Sequence, residues 1–147
     1  MQRDQDPPAR LMALDYGTSR IGVAISDELG LLAHPRPFIP AQPAGRALRL
    51  VADLVRHDQI GQILVGLPLH MNGTEGLSAR RARKFAAEVE TATGLSVHLV
   101  DERLSTKAAQ GLFREAGRSE RDTRTQIDSA SAALLLQSWL DGHRGSA

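Results

Sequence analysis

The chain has 147 residues, 41% of them hydrophobic and 24% charged, with 13 Gly, 7 Pro and no Cys. That is the size of one domain with one core, and the composition excludes collagen-like, low-complexity and wholly disordered chains. Without cysteine there is no disulfide framework and no thiolate metal site, and no apolar run approaches the ~18 residues of a membrane span. Residues 1–10 are polar and carry Pro7-Pro8, which reads as a disordered leader rather than a signal peptide or anchor. A cytoplasmic protein with no membrane partner is expected, with a single domain over residues 11–141 and a short tail at 142–147.

Leu11 to Leu14 is a continuous apolar run ending at Asp15, and Tyr16-Gly17-Thr18-Ser19 supplies turn chemistry before Ile21 to Ile25 resumes the pattern. A hairpin of two strands follows. A third extended segment, Leu31 to Ile39, contains Pro35 and Pro37, which cannot donate to a ladder and so belong at a sheet edge or bulge. From Ala44 the period becomes helical, with Leu48, Val51, Leu54 and Val55 on one side and Arg46, Arg49, Asp53 and Arg56 on the other. Ile60 to Val65 reads as a buried strand closed by Gly66 and Pro68. A helix is expected over Leu77 to Thr93, stopped by Gly94, and a strand over Ser96 to Val100. Ser105 or Thr106 can cap a further helix ending near Gly117. Arg118 to Arg124 has no apolar residue and reads as a mobile loop, and a last helix covers Ile127 to Leu140. This order implies an α/β fold: a mixed five-stranded sheet, three antiparallel strands and then parallel ones, with helices on both faces. A site is expected at the ends of its central strands.

Net charge is only +1, but 16 of the 18 basic residues are Arg, and they cluster. Arg80, Arg81, Arg83 and Lys84 form one group, with Arg80, Arg83 and Lys84 sharing a helix face by their spacing. Arg114, Arg118, Arg121 and Arg124 form another. Such groups can be plain solvated surface, or they can grip phosphates through the planar two-donor guanidinium. The scarcity of aromatic residues argues that any nucleic acid is held mainly through its backbone and shape.

Three carboxylates stand where charge is costly. Asp15 ends an apolar strand expected in the middle of the sheet. Glu102 follows Val97, Leu99 and Val100 at the end of what reads as another central strand, and strand alternation keeps Asp101 and Glu102 from facing one site together. Asp128 opens the last helix in line with Ala132, Leu135 and Leu136, the row that packs inward. Convergence of the three would make an oxygen-rich site suited to Mg²⁺ or Mn²⁺, and two such ions about 4 Å apart suit in-line phosphodiester hydrolysis. Each acid also has a duller reading. Asp15 could start the turn at Gly17, Glu102 could pair with Arg103 or cap a helix, and Asp128 could complete a capping box with Thr125. The five His residues show no metal-ligand spacing.

The blocks Leu14-Asp15-Tyr16-Gly17-Thr18-Ser19-Arg20-Ile21-Gly22-Val23-Ala24, Val65-Gly66-Leu67-Pro68 with Asn72-Gly73-Thr74, Val100-Asp101-Glu102-Arg103-Leu104-Ser105-Thr106, and Ile127-Asp128-Ser129-Ala130-Ser131-Ala132-Ala133 resemble the YqgF/RuvX family in family order. The resemblance implies an RNase H-like fold and a nuclease using Mg²⁺ or Mn²⁺, with Asp15, Glu102 and Asp128 at the family's acidic positions as catalytic residues and metal ligands. The family carries two names: Holliday junction resolvase, and nuclease for the 5′ end of pre-16S ribosomal RNA in ribosome biogenesis. Resolvases of the related RuvC type carry a further acid or histidine three residues before the last aspartate, and Thr125 stands there here, so RNA is the favoured partner over DNA. A resolvase would need a symmetric homodimer to cut two strands, which stays open with that reading. Arg20 and Arg103, which flank two of the acids, and Arg80, Arg83 and Lys84 are the candidate nucleic-acid contacts. Two other functions compete: a catalytically silent RNA-binding assembly factor, and an ATPase, because Asp15-x-Gly17-Thr18 also resembles the first phosphate loop of the actin and sugar-kinase class. The latter class needs a second related domain for its cleft.

Overall fold

A computed structural model describes residues 9–104 and 127–143, with Leu104, Ile127 and Asp128 described by their backbone alone. The expected helix from Ser105 to Gly117, the loop Arg118 to Arg124, the Arg114–Arg124 cluster and nearly all of the leader and tail lie outside the described residues. The elements are β1 (Arg10–Tyr16), β2 (Arg20–Ser26), β3 (Ala33–Pro40), α1 (Ala44–His57), β4 (Ile60–Leu67), α2 (Leu77–Thr93), β5 (Val97–Asp101), a 3₁₀ turn (Glu102–Leu104) and α3 (Ile127–His143). The five strands form one sheet in the order β3-β2-β1-β4-β5. β1 pairs antiparallel with β2 and parallel with β4, β3 is antiparallel to β2, and β5 is parallel to β4.

Local chemistry accounts for this arrangement. Met12, Ala13 and Leu14 are each fully buried, because β1 is covered on both faces and flanked on both sides. β3 carries Pro35 and Pro37 and sits at the edge, with a register shift against β2 between Ile21 and Val23 that absorbs the missing donors. Helix α2 stops where Gly94 takes φ 73° and donates its N–H to the Glu90 carbonyl at 2.8 Å.

Alternation along the strands divides the core in two. One layer packs Met12, Leu14, Ile21, Val23, Ile63 and Val65 under α1 and α2, which contribute Val51, Phe85 and Val89. The other packs Ala13, Ala24, Leu64 and Val100 under α3, through Ala132, Ala133, Leu135 and Leu136. Each buried branched side chain contributes about 1.5–3 kcal/mol relative to exposure. The alanines of β1 and β2 leave room for α3 to lie close on the sheet.

Polar contacts fix where along the sheet α3 lies. Buried Gln137 accepts the Ala33 N–H at 2.9 Å and donates to the Leu31 carbonyl at 3.0 Å, while near the start of the helix the Ser129 hydroxyl donates to the Arg36 carbonyl. The first turn of α3, with position 128, is therefore held beside the β2–β3 irregularity.

Candidate active site

Leu11 and Ala13 of β1 face α3, so alternation turns Asp15 to the same side, paired across β1–β2 with Gly22. Because β1, β4 and β5 are parallel, their C-terminal ends share one end of the sheet, and Asp15, Gly66 and Asp101 all lie there. Glu102 follows β5 in the 3₁₀ turn and faces α3 by the same alternation that buries Val100 beneath it.

Contrary to the expectation of a second central strand, β5 is the edge of the sheet, with Leu99 36% exposed. One strand, β4, therefore separates Glu102 from Asp15, and the carboxylates meet across it because Gly66 has no side chain. A Cβ built on Gly66 would lie 2.9 Å from the Glu102 Cγ and collide with its Oε1. Glu102 reaches over this gap to within hydrogen-bonding reach of Asp15. Burial, then that hydrogen bond, then the negative charge of Asp15 and of Asp101 push the Glu102 carboxyl up to about 8. Gly66 is the site residue that sequence reasoning passes over; its only signal is a glycine inside an apolar strand end, which marks a close approach. Gly66→Ala is expected to displace Glu102 and lower hydrolysis about 10- to 100-fold, because the misplacement is on the scale of an ångström. Steady-state rates measured beside a thermal melt check this, and unaltered rates would show that Glu102 does not depend on the gap.

Asp101 faces the other way and is engaged elsewhere. Arg103 turns back on it, with Nη2 to Oδ2 at 2.7 Å, Nε at 3.1 Å from both oxygens, and its backbone N–H to Oδ1 at 2.9 Å. This pairing holds the Asp101 carboxyl below its ordinary range. Arg103 also donates to the Met71 carbonyl at 3.2 Å, tying the β4–α2 loop to the end of β5.

Among the other candidates, Arg20 is exposed at the start of β2 with its guanidinium 5.3 Å from the centre of the Phe38 ring. Arg80, Arg83 and Lys84 are exposed on α2 as their spacing implies. Arg83, however, is bound in two-donor fashion to Glu75, Nε to Oε1 at 2.7 Å and Nη2 to Oε2 at 2.8 Å, and braces the loop before the helix. Asp128 is the second residue of α3, one turn before buried Ala132; its side chain lies outside the described residues. Among the described residues no group of three His, Cys, Asp or Glu side chains is placed to share one ion.

Two hard-oxygen donors pressed together at the edge of the core fit a divalent cation, which would offset their mutual repulsion and satisfy both carboxylates at once. Two histidines away from these acids are engaged elsewhere: His98 hydrogen-bonds Gln62 at 2.7 Å, and His143 stacks on Trp139.

A family model described as "RuvX: Holliday junction resolvase" matches residues 9–142. Two relatives, from Anaeromyxobacter sp. (strain Fw109-5) and Anaeromyxobacter dehalogenans (strain 2CP-C), are both named "Putative pre-16S rRNA nuclease". They are 44% and 42% identical over 90% of this chain, covering 97% and 96% of their own lengths. Of the solved structures, T. thermophilus RuvC in complex with a Holliday junction substrate has a TM-score of 0.63 over 95% of this chain and 98% of that one. At 14% identity this is a likeness of fold, and it agrees with the RNase H-like fold that the family resemblance implies. Among the described residues no helix is long and apolar enough to cross a membrane.

Proposed function

Because the chain belongs to the RuvX family, we propose that it is a divalent-metal-dependent nuclease that hydrolyses phosphodiester bonds of RNA, acting at the 5′ end of pre-16S rRNA. The observation that carries this reading is the meeting of Asp15 and Glu102 over Gly66 at the C-terminal ends of the parallel strands. A half-buried pair of carboxylates held this close has no structural use commensurate with its cost. The pair is where such a fold can do chemistry. The RNA assignment rests on the names of the relatives.

Asp15 and Glu102, with Asp128 as the third ligand, would hold Mg²⁺ or Mn²⁺, two ions in the full site. Bound there, the metal supplies charge neutralisation at the phosphate and activation of the attacking water. The chain's own contribution is positional. β1 and β4 hold Asp15 and the Gly66 gap rigidly, and the Asp101–Arg103 clamp fixes the turn that aims Glu102. Arg20 on one side and Arg80 and Lys84 on α2 provide cations for the flanking phosphates.

The test is side-by-side incubation of the protein with precursor 16S rRNA, single-stranded RNA and a four-way DNA junction, each with Mg²⁺, with Mn²⁺ and with chelator. Metal-dependent cleavage of the RNA is expected; cutting of the junction alone would transfer the reading to the resolvase named in the family description, and no cleavage of any would leave a silent binding protein. Replacing Arg80 and Lys84 by Gln is expected to weaken RNA binding and reduce the slope of log affinity against log salt by about 1 for each phosphate that is no longer neutralised. An unchanged slope removes α2 from the substrate path.

A further inference from the structure

Tyr16 stacks on Phe85 with ring centres 4.6 Å apart, and Trp139 stacks on His143 at 4.0 Å, so each of these rings already packs against another ring. Phe38 differs. It projects from the edge strand β3 and is 44% exposed. Its neighbour Ile39 points into the α1/α2 core at 6% exposure, so alternation puts Phe38 on the α3 side of the sheet, the side of Asp15.

Two further features distinguish it from an apolar residue scattered on a surface. The Arg20 guanidinium lies 5.3 Å over one face of the ring, which sets the ring's orientation and puts a cation beside it. Between Phe38 and Asp15, in the intervening strand, the residue paired with Asp15 is Gly22, so β2 itself puts no side chain between the ring and the acid. Two strand spacings separate them, about 10 Å.

We propose that Phe38, backed by Arg20, is a stacking platform for an unpaired base of the nucleic acid, next to the nucleotide whose phosphate is cut. The proposal rests on the nuclease reading and narrows it: the substrate must offer a base free of its own stack near the cleavage point, in single-stranded or splayed RNA. An aromatic face accepts every base, so this contact selects for strandedness and not for sequence. Arg20 adds positive charge for the same nucleotide's phosphate.

Equilibrium binding of a single-stranded RNA decamer to the full-length chain tests this, with Asp15→Asn included to block cleavage and wild type measured in parallel without divalent ion. Phe38→Ala is expected to weaken binding about 5- to 100-fold, the usual range for one stacked base, and Phe38→Trp to retain it. Phe38→Leu, which keeps apolar bulk and loses the π-face, should behave like Phe38→Ala. A decamer scanned with single abasic sites should show one position that weakens wild type similarly and has no further effect on Phe38→Ala. Unchanged binding by Phe38→Ala, or losses that simply multiply at every abasic position, overturns the platform while leaving the nuclease reading intact. Failure of the wild-type chain to bind the decamer at all overturns both.

Discussion

Asp15→Asn and Glu102→Gln are each expected to lower metal-dependent hydrolysis by about 10³-fold or more, while RNA binding changes little. Either substitution keeps the shape of the side chain and removes one of the charges that would fix the cation, so the loss falls on stabilisation of the transition state and not on grip of the substrate. Initial rates with Mg²⁺ and Mn²⁺, measured beside equilibrium binding to the same RNA, separate the two quantities. Retained cleavage in both variants would exclude the acid pair as the catalytic centre. Loss of binding together with loss of rate would point to a structural role.

The same pair predicts an opposite effect on stability. Glu102 has its carboxyl raised to about 8 in the folded chain against an ordinary value of 4.5. Between these values the native state binds a proton that the unfolded state has released, so stability falls as pH rises from about 4.5 and the loss is complete above about 8. With chelator present, wild type should therefore melt at lower temperature at pH 8.5 than at pH 5.5. Glu102→Gln should flatten this dependence and stabilise the metal-free chain at pH 8.5 by on the order of 1–3 kcal/mol, a figure discounted for the partial exposure of the group. For a chain of this size that is about 2–4 °C per kcal/mol. Mn²⁺ should raise the melting temperature of wild type and leave Glu102→Gln nearly unmoved, because the ion stabilises only the state that binds it. A variant that is less stable than wild type at pH 8.5 without metal would mean that the carboxylates do not repel one another.

Much of the scaffold could be read from residue order, because its signals are local. α2 runs from Leu77 to Thr93, and Gly94 ends it, as the glycine after a helical period implies. β3 lies at the edge because proline cannot donate to a ladder. The inward row Ala132, Leu135 and Leu136 packs where its spacing directs it. What could not be read is lateral. Nothing in Val97 to Val100 distinguishes an edge strand from a central one, since both are short and apolar, and the difference is whether another strand lies beyond. The Gly66 gap is a relation between two strands 36 residues apart, from Gly66 to Glu102, and neither end announces it. Likewise, Arg83 shares a helix face with Arg80 and Lys84, yet it is committed to Glu75 in the preceding loop. Charge type and spacing identify a face; they do not say which cation on it is already engaged.

Asp15 belongs to the first strand and Glu102 to the turn after the last one, with the complete parallel crossover between them. A chain emerging from the ribosome presents the first carboxylate long before the second exists, and a fragment ending at α2 has an aspartate with no glutamate to answer it. If the pair holds a cation as proposed, ion capture would be deferred at least until the sheet has acquired its final strand. On the proposed reading, an immature or truncated polypeptide would be harmless to the nucleic acid around it, and cation affinity would serve as a direct gauge of completed folding.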